Sequence, residues 1–198
     1  LNVPTYNNKA AFGPGEVMML NIPTGRKGHF LNPRMSYLKF KVVNSSSSTA
    51  DDQLAPDYSI FSIFQRLDIF HGSNLLESIT DYNVLATLWM DITGSAEAQK
   101  HTGNVLEGVS ASAERTGENV DGNNGSRVYC VPLLSGIIGT LQSKMLPTGD
   151  MVAGDLRLEL TLANVAAGMV LAGTAVNPRS WGVTDVELML EYTELASD

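Results

Sequence analysis

A single cysteine, Cys130, excludes an internal disulfide among the 198 residues. It lies in Val128-Tyr129-Cys130-Val131, where it reads as a small apolar residue that is buried. One thiol fits folding in a reducing compartment. Charge is also scarce. Charged residues make up 17% of the chain, against about 25% in ordinary soluble proteins. Two explanations fit: a surface covered by partner subunits, or a neutral surface rich in Ser, Thr and Asn. The three histidines, His29, His71 and His101, have no partner at metal-ligand spacing. No phosphate-binding glycine loop is present, because Gly13-Pro14-Gly15 is followed by neither a helix nor a lysine. No GxSxG occurs, and Ser110 and Ser112 have no histidine nearby. Glu16, Glu159 and Glu187 read as strand carboxylates facing solvent. Carboxylate pairs meet in space, so sequence spacing does not exclude a hydrolase, but nothing here favours one. No catalytic residue, cofactor or metal is assigned.

Long apolar runs are missing too. None approaches the ~18 residues of a membrane span, and Val17 to Leu20 is too short for a signal-peptide core. Leu1 in place of Met is read as processing, or as a segment of something longer. Aromatics are too dispersed for a stacking platform, since Tyr37 and Phe40 fall on opposite faces of one strand. Asn44-Ser45-Ser46 and Asn124-Gly125-Ser126 match the glycosylation sequon and read as chance matches.

Charge is unevenly spread. Residues 1–44 hold Lys9, Arg26, Lys27, Arg34, Lys39 and Lys41 against Glu16 alone, a net of +5. The remaining seven basic and twenty acidic groups leave −13. This is either ordinary surface variation or a basic edge facing nucleic acid, an anionic membrane or an acidic neighbour.

The chain is organised around residues 58–92. Ile60, Ile63, Phe64, Leu67, Ile69 and Phe70 predict a strand, Gly72-Ser73-Asn74 a tight turn, and Leu75 to Ile79 a second strand. Asp81 is then a candidate N-cap, and Tyr82, Leu85, Ala86 and Trp89 recur with helical period. Elsewhere strands are expected over Glu16 to Ile22, Arg34 to Val43, Arg127 to Leu134, Asp155 to Leu162 and Trp181 to Leu195. Pro33 is expected to precede its strand, and Pro132 to mark an edge or an end. In the last strand, simple alternation places Val183, Asp185 and Glu187 on one face, with Thr184, Val186 and Leu188 on the other. Long polar loops cover Asn44 to Asp57, Gly94 to Ser126 and Asn164 to Arg179. Seven or eight strands, one helix and no βαβ alternation imply an all-β sandwich or barrel. Residues 1–13 read as an N-terminal arm or loop, and 14–198 as a single domain.

Together these elements resemble the jelly-roll capsid proteins of icosahedral viruses, and among them the double jelly-roll major capsid lineage. Four stretches carry the likeness: Pro14-Gly15-Glu16 with Tyr37-Leu38-Lys39-Phe40; Arg66-Leu67-Asp68-Ile69 turning at Gly72 into Leu75 to Ile79 and Asp81 to Leu85; Val131 to Gly139 with Leu146-Pro147; and Leu156 to Ala163. The resemblance implies an eight-stranded jelly-roll sandwich with one short helix after a central hairpin. It further implies a structural, non-enzymatic protein that self-assembles into an icosahedral shell enclosing a genome. Its location would be the virion, after assembly inside the host cell. Implied partners are copies of itself and other capsid proteins. The viral genome or an internal membrane would be met through the basic first quarter (Lys9, Arg26, Lys27, Arg34), and a host receptor through the long loops. The chain departs from the double-roll pattern in having strands for one roll only. It therefore reads as one roll of a longer protein, a single-roll subunit or a minor capsid component. The alternative is a jelly-roll module that binds a receptor or a carbohydrate.

Overall fold

The computed structural model describes residues 1–6, 9–45, 53–56, 58–95, 120, 124–151, 154–164, 169–172 (backbone only) and 180–195. The strands are β1 (Asn2–Pro4), β2 (Ala11–Phe12), β3 (Val17–Ile22), β4 (His29–Asn44), β5 (Gln53–Pro56), β6 (Phe64–His71), β7 (Asn74–Thr80), β8 (Ser126–Pro132), β9 (Leu156–Leu162), β10 (Met169–Ala172) and β11 (Trp181–Glu194). Among the described residues one α-helix, α1, spans Tyr82–Thr93.

Two antiparallel sheets carry the architecture. The first runs β1-β11-β4-β8, with β2 also paired to β11; the second runs β3-β9-β6-β7. β1 pairs with Glu187 to Met189 of β11, and β2 with Val183 and Thr184, so the two form one interrupted edge strand. Counted that way, the first sheet holds the first, eighth, third and sixth sandwich strands in order. The second holds the second, seventh, fourth and fifth. This wiring, in which consecutive strands cross between sheets, is a jelly roll. β5 and β10 form a separate antiparallel pair.

Period-two patterning explains which faces meet. Leu156, Leu158, Leu160 and Leu162 of β9 are all buried, with half-buried residues between them. Met18, Leu20 and Ile22 of β3 and Leu38, Phe40 and Val42 of β4 supply matching inward rows. At the centre, the Phe40 ring stacks on Tyr129 at 5.7 Å and meets Phe64 edge-on at 5.3 Å. β8 ends at Pro132 on the sheet edge, as the proline suggested.

Four local expectations are corrected. Residues 1–13 are not simply an arm or loop, because β1 and β2 lie within them and take up the open edge of β11. β4 begins at His29 and passes through Pro33. The proline is accommodated because pairing with β11 jumps from Asn32↔Glu191 to Tyr37↔Met189, leaving Pro33 in an irregularity where no ladder N–H is demanded. Ile60–Ile63 is a buried 3-10 turn capped by Ser59, and the hairpin strand starts at Phe64. β11 does not alternate throughout: Asp185 adopts φ 51 at a register shift between Thr184 and Glu187. The bulge resets the phase, so Val183 and Val186 are both buried.

The hairpin turn is tighter than expected. His71 already pairs with Asn74, leaving Gly72-Ser73 as the loop, and Gly72 takes the positive φ of 58 that its first position needs. Asn44, first residue of one sequon, is buried and donates from Nδ2 to the Val120 carbonyl.

Candidate assembly surfaces

Helix α1 is held to the sandwich at its first turn. Asp81 precedes it with left-handed backbone (φ 54) and makes no side-chain cap, contrary to the expected N-cap. The anchor is Tyr82 instead. Its ring is 1% exposed and packs edge-on against Phe61 at 6.4 Å. Its hydroxyl oxygen accepts the Leu134 amide N–H at 2.9 Å. Burial pushes the phenol's pKa far above its usual value, with the nearby Glu77 carboxylate adding to the rise and the Leu134 hydrogen bond opposing it. Glu77 on β7 closes the same corner. It accepts the Ser135 hydroxyl at 2.5 Å and the Gly136 N–H at 2.9 Å, while Ser135 Oγ accepts from the amides of Ile137 and Ile138. The turn after β8 is thus tied to β7 and α1 together.

The helix faces the core with Tyr82 and Ala86, assisted by the partly buried Met90. The expected stripe of Tyr82, Leu85, Ala86 and Trp89 is therefore only half right. At 100° per residue, Val84, Leu88, Ile92, Leu85 and Trp89 occupy a continuous arc on the other side. All five are exposed, including Val84 at 63%, Leu88 at 53%, Ile92 at 73% and Trp89 at 39%. Sequence periodicity missed this because α1 is apolar nearly all round, so either stripe satisfies the template. The signal was there: Val84, Leu88 and Ile92 also recur at i, i+4 and i+8.

The sheet faces are of a different kind. On the second sheet Arg66 Nε stands 2.8 Å from Asp68, and Arg157 Nε 2.7 Å from Glu159. On the first, Lys39 lies 3.3 Å from Glu187, and Asn32 donates to Glu191 at 2.6 Å. These faces carry local charge and polar pairing.

The four basic residues singled out from sequence do not form one patch. Lys9 lines a depression with Lys39 and Lys41, and pairs with Glu16 at 2.9 Å. That lysine, with the Gly13 N–H, holds the Glu16 carboxyl below its ordinary value. Arg26 lines a separate cavity of about 210 Å³ with His29 and Tyr192, and Lys27 an adjoining hollow beside Glu194. Along β11, Glu187 and Glu194 are about 20 Å apart at strand rise. Arg34 is exposed on β4 between those levels. Most of the two loops expected to carry recognition, 94–126 and 164–179, lies outside the described residues. Among the described residues, no cluster of three His, Cys, Asp or Glu side chains can hold a metal ion, and no helix is long and apolar enough to cross a membrane. Burial, partly offset by Lys39, raises the pKa of the half-buried Cys130 thiol.

No family model matches the chain, and no curated protein matches it. Among solved structures, it superposes on a chain of the PBCV-1 virus capsid (a quasi-atomic model) with a TM-score of 0.59 and 11% identity. The match covers 98% of this chain and 42% of that one. The protein is thus an all-β sandwich with a jelly-roll fold similar to that of the capsid chain it matches, of which it spans less than half the length.

Proposed function

We propose that this protein is a structural subunit of a virus capsid, a non-enzymatic protein that self-assembles with copies of itself and other capsid proteins into an icosahedral shell around the genome. The observation carrying this reading is the jelly-roll wiring of the two sheets, in a chain that superposes over 98% of its length on a virus capsid chain. The surface chemistry supports it. The chain has few charges, and interface cores are depleted of charge. The place of action is then the virion, reached by assembly inside the host cell. The dispersed basic residues Lys9, Arg26, Lys27 and Arg34 form separate points of contact for an internal genome or membrane, and the long loops are the segments assigned to meeting a receptor.

Electron microscopy and sedimentation of the concentrated protein, alone and with co-expressed shell components, test the reading. Closed particles or curved arrays of regular subunits are expected. A monodisperse 21.3 kDa monomer under all these conditions overturns it.

A further inference from the structure

We infer that the outer face of α1 is a contact surface for a second copy of this chain; the inference rests on the shell-subunit reading above. A helix that is apolar on both sides is normally covered on both sides. The sandwich covers Tyr82, Ala86 and part of Met90. Nothing in the chain's described residues covers Val84, Leu85, Leu88, Trp89 and Ile92. From their exposed fractions, these five side chains leave on the order of 500 Å² of apolar surface in water, at the upper end of the largest patch on an ordinary monomer. A standard interface takes about 800 Å² from each partner. The helix face thus supplies more than half of one side.

The character of the patch selects the occupant. Asp91 is the only charged residue of α1 and lies at the border of the exposed arc. Nucleic acid would be met by basic groups, and α1 has none. A transient protein partner would meet a surface about as polar as the rest of the molecule. Interfaces between permanent copies are the apolar kind. The Tyr82–Leu134 and Glu77–Ser135 contacts hold this face rigid before any partner arrives, which lowers the ordering cost of association.

The test compares the wild-type protein with Leu88→Lys/Ile92→Lys and Leu88→Ala/Ile92→Ala, by sedimentation and by tryptophan emission over a dilution series. Both altered positions point to water, and Lys and Ala are good helix formers, so the fold persists and circular dichroism checks it. The lysine pair is expected to weaken self-association about 100-fold or more, and the alanine pair about 10-fold. Trp89 is 39% exposed and Trp181 3%. Wild-type emission should therefore shift to the blue as concentration rises, with Trp89 the reporter, and the lysine variant should stay red-shifted. If wild type and lysine variant associate equally, or if Trp89 emission stays solvent-like in the assembled wild type, the inference fails while the shell reading survives. If the wild type never associates, alone or with co-expressed shell components, both fail.

Discussion

Replacing Tyr82 by Phe removes one oxygen atom and asks how much of the molecule depends on it. The hydroxyl accepts the Leu134 N–H at 2.9 Å, and both residues are buried, at 1% and 4% exposure. The phenylalanine ring would keep the packing against Phe61 and leave the amide without its acceptor. A buried donor stripped of its partner costs about 1–3 kcal/mol. In a domain of this size, each kcal/mol moves Tm by about 2–4 °C. Tyr82→Phe should therefore lower Tm by about 2–12 °C, with the urea m-value unchanged. Tyr82→Ala adds a cavity, about 3–5 kcal/mol in all. It should also loosen α1, read as lost amide protection across Tyr82–Thr93. A Tyr82→Phe protein within about 0.5 kcal/mol of wild type, below the range for an orphaned buried donor, would refute the claim that this hydrogen bond seats the helix.

Substitutions at two further positions probe the backbone. Asp185→Val puts a β-branched residue at φ 51 in the β11 bulge, so unfolding in urea should show a loss of about 1–2 kcal/mol. Asp185→Gly at the same site should match or exceed wild type. Gly149→Ala would drive a methyl group into the Arg26 carbonyl oxygen and to 3.1 Å from the Gly28 and His29 nitrogens. That crowding should cost about 1–3 kcal/mol in the same assay, because the Thr148–Asp150 turn is pinned against this loop by Gly25 N–H donating to Thr148 O at 2.9 Å.

Alternation and turn chemistry were legible along much of the chain. Leu156 to Leu162 could bury only one face, Gly72-Ser73 could only turn tightly, and the Tyr82 region carried a helical period. These are local facts, since a period of two or 3.6 is written into neighbouring residues. They sufficed for an all-β sandwich or barrel with a hairpin and a helix. The sequence could not say that Pro33 sits in an irregularity, because what spares its missing N–H is the pairing of β11, some 150 residues away. Nor could strict alternation place Val183 and Val186 on the same side, since the phase change needs the left-handed turn at Asp185. The same limit held for function. Composition showed too little charge for an ordinary surface but not where the uncharged surface lies. Only the packed sandwich chose which stripe of α1 to bury: Tyr82 and Ala86 met the core, and Val84, Leu88 and Ile92 were left in water. A helix apolar on both sides carries no local preference between them, so long-range packing makes that choice.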